Sequence, residues 1–238
     1  MEGARPGEAN TDWGAVDPTQ NNVQGYFNLL PGEKFLDAQE SPRNCNWFLI
    51  TLGCRRGLTF LEQQSEVDGK RLGIRGHSMG GNLTMYVAGS DSRVKVASPS
   101  AGGSGYRTYA RYGLLPQIRK VKGNLELFRR TMGYQFYAPR ITAPLLHLGA
   151  SNDFHGQMDA TYATGAKVKK TVPQRFVFAP HFNHRFYPEQ QVSRILWLDQ
   201  HLKGGVKLPE TPASELKLKP IPVLRVTPSK ELPVNRVD

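Results

Sequence analysis

The chain has 238 residues, 39% of them apolar and 21% charged, a balance that can bury one globular core and does not suit a disordered tail. Its 24 glycines follow no period, its two cysteines are too few for a disulfide scaffold, and no apolar run approaches the roughly 18 to 20 residues of a membrane span, so those three classes are excluded and no membrane partner is expected. The formal charge of +11 raises the question of a nucleic-acid partner. The bases, however, form no Lys/Arg run and concentrate in residues 104–140, where Arg107, Arg111, Arg119, Lys120, Lys122, Arg129, Arg130 and Arg140 are opposed only by Glu126, so we read a solvated basic face and no nucleic acid.

In chain order, residues 1–40 are rich in Gly, Asn and Pro without a sustained period and read as an irregular segment. They lack the basic start and apolar stretch of a signal peptide; an upstream segment could carry one, so the compartment stays open. Ser41-Pro42 offers an N-cap followed by a first-turn proline. Trp47, Ile50, Cys54, Leu58 and Leu61 then recur at spacings of 3, 4, 4 and 3, which predicts a helix ending near Gln64. Cys45 and Cys54 have no partner cysteines or nearby His to complete a zinc set, so no metal is expected.

Asp68-Gly69 makes a turn, Arg71 to Gly76 a short strand, Met79 to Ala88 a helix opened by Gly80-Gly81, and Arg93 to Ala97 a second strand. After an irregular, aromatic-rich stretch at 104–140 come a strand at 144–149, a helix near 157–166, a strand at 175–179 and a helix at 189–202. Strands alternating with helices predict an α/β fold with a mainly parallel sheet covered on both faces. The core so defined runs from 41 to 204. Beyond Gly204-Gly205 the composition shifts to Lys, Pro and Val, so 205–238 reads as an extended tail or the start of a β-rich module.

The segment Gly76-His77-Ser78-Met79-Gly80-Gly81 is a G-x-S-x-G pattern. The pattern alone is weak, since it arises by chance in roughly one chain in eight of this length and composition. Position strengthens it: Ser78 lies between a predicted strand and a predicted helix, where a sharp turn presents the side chain at the C-terminal edge of a sheet. Gly76 and Gly80 are expected to be required because a Cβ at either would meet the crossing backbone.

A serine hydroxyl near neutral pH needs a base to become nucleophilic, and the base needs an orienting carboxylate. Asp153 follows the strand at 144–149, and His184 follows the strand at 175–179. Asp159, inside the next helix, is the rival acid, and Asp153 capping that helix is the bland alternative. His181, still leaving its strand, is the rival base, and an H-x-x-H metal pair at 181 and 184 lacks a third ligand nearby. His77 reads as support beside the serine, His147 as a satisfied core histidine, and His155 and His201 carry no signal.

The segments EVDGKRLGIRGHSMGGNLT, PLLHLGASNDFHG and APHFNHRFYPE together resemble the α/β-hydrolase superfamily, nearest to its acetyl xylan esterases, dienelactone hydrolases and prolyl-oligopeptidase-like members, over about residues 42–204. The resemblance implies Ser78 as nucleophile, Asp153 as acid, His184 as base and the Met79 backbone N–H as one oxyanion donor, with no metal or organic cofactor. It implies a serine hydrolase acting on a small-molecule or carbohydrate ester, with a prolyl-oligopeptidase-like peptidase or a catalytically impaired binding protein as the alternatives. The oligomeric state stays open.

One departure bears on that expectation. Members of the superfamily place several strands and a second oxyanion donor, often in an H-G-G-type sequence, before the nucleophile, whereas only 77 residues precede Ser78 here and hold no such motif. An N-terminally incomplete version of the fold is expected, and losing one oxyanion donor removes about 2.7 to 4 kcal/mol of transition-state stabilisation. The 104–140 stretch sits where this fold commonly inserts a cap and holds Tyr106, Tyr109, Tyr112, Tyr134 and Tyr137, which either line a pocket or pack the cap onto the domain.

Overall fold

The structure, a computed structural model, describes residues 46–103, 130–131, 133–153 and 156–228. Helix α1 (Asn46–Glu62) leads to strand β1 (Leu72–His77), helix α2 (Met79–Ala88) and strand β2 (Val94–Ser100). A short turn of helix, α3 (Tyr134–Tyr137), precedes β3 (Leu145–Ala150), α4 (Met158–Gly165), β4 (Gln174–Ala179) and α5 (Pro188–Lys203). The Ser41-Pro42 cap lies outside the described residues. Within α1 the apolar stripe is buried at Ile50 and Leu58, but Leu61 is 42% exposed. It falls in the last turn of the helix, which passes beyond the core before ending at Glu62.

The four strands lie in the order β1-β2-β3-β4 and every neighbouring pair is parallel. The chain is an α/β-hydrolase fold with helices on both faces of this sheet. On one face Leu72, Val94 and Ala97 pack with Ile50 and Leu58 of α1 and with Leu83 and Val87 of α2. On the other, Val96, Leu146 and Leu148 pack against Trp197 of α5. Leu145 and Leu146, adjacent in sequence, fall in opposite clusters, the two-residue alternation of a strand covered on both sides. Burial of β3 at every position agrees with its central place.

Tyr134 and Tyr137 belong to the first cluster: the Tyr134 ring stacks on Tyr86 at 4.8 Å and Tyr137 meets the same ring edge-on at 4.9 Å. These two tyrosines therefore pack onto the domain, while Tyr106, Tyr109 and Tyr112 lie outside the described residues. After α5, Gly204 in the left-handed region (φ 67°) ends the helix and turns the chain back, and the backbone N–H of Leu208 donates to Gln200 Oε1 at 2.7 Å. Strands β5 (Ala213–Lys217) and β6 (Val223–Thr227) then form an antiparallel hairpin in which Leu216 faces Leu224 and Glu215 faces Arg225, with both strands exposed.

Parallel register brings the C-terminal ends of the strands to one rim. His77 pairs with Ser100, Ser100 with Leu148, and Ala150 with Ala179. The loops leaving β1, β3 and β4 start from that rim, which is where α/β sheets build their sites.

Candidate active site

Ser78 is the single residue between β1 and α2, and its backbone shows how tight the turn is. It has φ 57° and ψ −116°, a conformation that costs a residue with a Cβ on the order of 1–3 kcal/mol and is held only by its surroundings. Two hydrogen bonds hold it: Ser78 N–H donates to Ser100 O at 2.9 Å, and Asn82 N–H donates to Ser78 O at 3.1 Å. A Cβ on Gly76 would collide with the Gly80 carbonyl, so the chain can cross itself there only over glycine. Gly80 does not share that requirement, because a Cβ built on it meets nothing within 4 Å. The second constrained position is Gly81, whose Cβ would lie 2.5 Å from Ser100 O, because α2 runs directly over the end of β2.

Asp153 lies in the turn after β3 and is 4% exposed. Its Oδ1 accepts from Gly156 N–H at 2.8 Å, which fixes the carboxylate within its own loop. Asp159, the rival acid, sits in the first turn of α4 and accepts from the adjacent Ala160 N–H at 2.8 Å. His184 lies in the loop between β4 and α5. That loop is anchored by Asn152 N–H donating to Phe182 O at 3.0 Å and by His181 N–H donating to Ser151 Oγ at 2.8 Å. His181 itself adopts φ 61° and is exposed. Its strained backbone makes the turn that carries His184 back over the rim.

The structure brings three of the residues singled out from sequence into one chain of hydrogen bonds. His184 Nε2 is 2.7 Å from Ser78 Oγ, and His184 Nδ1 is 3.0 Å from both carboxylate oxygens of Asp153. Asp153 and His184 are side-chain 0% and 19% exposed, so solvent reaches the imidazole and not its carboxylate. With Nδ1–H donating to Asp153, Nε2 is free to accept the serine proton. Met79, the fourth residue, opens α2 directly after Ser78, where backbone N–H groups of a first helical turn point outward.

The other histidines take different places. His77 Nδ1 is 3.0 Å from Ser100 Oγ, and its ring is 5.1 Å from that of His184. Burial, then the neighbouring His184, lower the pKa of His77. His147, buried in mid-strand, stacks on Phe176 at 4.5 Å with its Nε2 3.3 Å from Gln174 Oε1, and burial pushes its pKa down to about 4. His155 lies outside the described residues. Among the described residues no cluster of three or more His, Cys, Asp or Glu is placed to hold a metal ion, and no helix is long and apolar enough to cross a membrane.

Sequence reasoning missed two supports of this site. Gln190 of α5 is buried and donates to the carbonyl oxygens of Gly149 and, at 3.3 Å, Val177, tying the helix after the His184 loop to the ends of β3 and β4. Residues 101–103 form a glycine-rich cradle beneath the elbow, in which Gly102 would strike Ser78 O if it bore a Cβ. Gly102-Gly103 directly after a strand was the available signal for it.

The chain is similar to several known proteins. The model of the prolyl oligopeptidase family (Peptidase_S9) matches residues 54–205, which contain the sheet and all three residues of the hydrogen-bonded chain. The chain belongs to the prolyl oligopeptidase family. Among curated relatives, the acetyl esterase Axe7A of Xylanibacter ruminicola is 26% identical over 161 residues, or 65% of this chain and 36% of that protein. The chain thus spans about a third of that relative's length. Among solved structures, an acetyl xylan esterase from Paenibacillus sp. R4 matches with a TM-score of 0.57 at 22% identity, covering 73% of this chain and 58% of the esterase. A Pyrococcus horikoshii acylaminoacyl peptidase matches with a TM-score of 0.55 at 22% identity, covering 69% and 29%. This family member therefore has the fold common to the esterases and peptidases it resembles, and the family is one of serine hydrolases.

Proposed function

We propose that the chain hydrolyses a carboxylic ester, with Ser78 as nucleophile, His184 as general base and Asp153 as its orienting acid. The observation that carries this reading is the pair of distances through one imidazole, 2.7 Å to Ser78 and 3.0 Å to Asp153. Ser78 Oγ attacks the ester carbonyl while its proton passes to His184 Nε2. Asp153 keeps the second imidazole proton on Nδ1 and stabilises the imidazolium as it forms. The Met79 N–H donates to the oxyanion of the tetrahedral intermediate. His184 then protonates the leaving alkoxide, and water, deprotonated by the same imidazole, releases the acid from the acyl-enzyme.

An acetyl ester on a small molecule or a carbohydrate is the substrate class we favour, since the curated relative is an acetyl esterase. The core proposed for this activity is residues 41–204, with a cap at 104–140. A peptidase would use the same triad.

The test pairs a fluorophosphonate probe with p-nitrophenyl acetate and an acylated peptide p-nitroanilide. Labelling of the wild type, its loss in Ser78→Ala, and turnover of the ester above the amide are expected. Turnover unchanged in Ser78→Ala removes that residue from its role. An unlabelled wild-type protein points instead to a binding protein on a hydrolase fold.

A further inference from the structure

Behind the triad, between β1, β2 and α5, lies a buried polar cluster that the proposed reaction does not use. A Cβ on Gly73 would sit against Val96, Leu198 and Leu202, so Gly73 faces α5, and alternation puts Arg75 and His77 on the same face. Ser98, two residues beyond Val96 and in register with Arg75, also faces the helix. From α5, Arg194 and Trp197 project toward the sheet one turn apart, 4% and 1% exposed. The Arg194 guanidinium carbon lies 4.0 Å from the centre of the Phe186 ring, which meets the His77 ring in a T-shaped pair at 6.3 Å.

The polar atoms of this cluster are unmatched. Nε and Nη2 of Arg194, Nε1 of Trp197 and Oγ of Ser98 are buried and make no hydrogen bond. Three of these four are N–H groups that can only donate, and the fourth is a hydroxyl that can. Among the described residues no carboxylate pairs with Arg194. The charge that acts on it is that of Arg75, and burial, then Arg75, lower its pKa to about 10. Buried N–H donors without acceptors, and a buried cation without a counterion, are each costly, so both deficits ask for the same kind of partner. Water would satisfy two donors and no charge. A small oxyanion satisfies both.

We propose that Arg194, Trp197, Ser98 and the flanking Arg75 form a binding site for a small oxyanion, a carboxylate or phosphate, set behind the triad imidazole. The bound ion neutralises the guanidinium and accepts from the indole and the hydroxyl. The His77 ring, on the same face of β1 as Arg75, is 5.1 Å from the ring of His184. The site stands whether or not Ser78 is the nucleophile, because none of its groups belongs to the triad.

The test is thermal unfolding of the full chain in sodium acetate, and separately in inorganic phosphate, from about 1 to about 100 mM, with ionic strength held constant by chloride. The wild-type midpoint is expected to rise with one or both oxyanions and not with chloride, and Arg194→Met to abolish the rise. Should that variant fail to fold, the exposed Arg75→Gln decides, with apparent affinity expected to weaken about threefold. A flat wild-type response overturns the site, as a carboxylate of the chain's own already in place would produce. An equal rise in Arg194→Met, or an unweakened response in Arg75→Gln, overturns it as well.

Discussion

His184 Nε2 stands 2.7 Å from Ser78 Oγ although 106 residues separate them in sequence. The parallel sheet closes that gap. Because β1 and β4 end at the same rim, the turn after each starts within reach of the other across the two central strands. The serine side is rigid, pinned by Ser100 and Asn82, and the histidine side is tied by Ser151, Asn152 and Gln190. The pair is held by backbone and helix anchors around it more than by its own hydrogen bond.

The Asp153 side of the constellation makes a prediction through its hydrogen-bond inventory. Oδ1 already accepts from Gly156 N–H, so an Asp153→Asn amide keeps its oxygen there and turns its NH2 toward His184 Nδ1. That NH2 cannot accept from Nδ1–H and donates to an unprotonated Nδ1 instead, so the imidazole is driven toward the tautomer with its proton on Nε2, and the base is lost. We expect kcat for p-nitrophenyl acetate to fall about 10⁴-fold with little change in thermal midpoint. A kcat within tenfold of wild type would contradict Asp153 as the orienting acid.

Much of the site was legible because its residues lie at the ends of elements with strong periodicity. Strand, turn and helix signals around GHSMGG, PLLHLG and RFVFA set three loops on one edge, and β1 and α2 appear within a residue of where the pattern put them. What was not legible depended on which backbone crosses which. Gly80 and Gly81 look equivalent in sequence, yet only the second lies against β2. The orphan donors of Arg194, Trp197 and Ser98 come from a helix and a strand that pattern alone cannot place face to face. Leu61 fits the apolar stripe of α1 but sits in its last turn, where the core has already ended.

The glycine pair gives a stability test of opposite sign. Gly80→Ala adds a Cβ in open space within a helix, so it should stabilise by about 0.5–1 kcal/mol. Gly81→Ala places a Cβ 2.5 Å from Ser100 O, and relief requires α2 to lift from β2 beside the elbow, so it should destabilise by about 1–3 kcal/mol. Urea unfolding of the two variants measures both. Equal effects would mean that the two positions are packed alike.

At the start of β2, Asp91 is 7% exposed and is gripped by Arg93 through Nε at 2.9 Å and Nη2 at 2.7 Å, with Arg55 Nε at 3.2 Å. The Arg93 side chain, then its backbone N–H and Arg55, hold the Asp91 carboxyl down at about 2 against a burial cost that acts the other way. The folded value is lower than the unfolded one, so the stabilisation is complete above about pH 4 and is lost as pH falls through 2. Arg55 is 41% exposed, so solvent screening limits the contribution to about 1–2 kcal/mol. Asp91→Asn should lower stability by that amount at pH 7, and the difference from wild type should shrink below pH 4 in chemical unfolding. A difference independent of pH would assign the effect to packing.

His147 produces a separate acid limb at higher pH. Its ring is fully enclosed between Phe176 and the core of β3, and its pKa of about 4 lies below the usual histidine value of 6.5 because burial disfavours the cation. The unfolded chain therefore binds the proton first as pH falls. The stability that a neutral His147 allows is complete above about pH 6.5 and declines toward pH 4, by about 3 kcal/mol in all. His147→Phe preserves a flat ring against Phe176 and removes the titration. Its stability should fall less than that of the wild type between pH 7 and pH 4.5, so the difference between the two curves should shift in favour of the variant on acidification. If the wild type shows no decline over that interval while the fold is intact, the imidazole is reached by water and its enclosure in β3 is wrong.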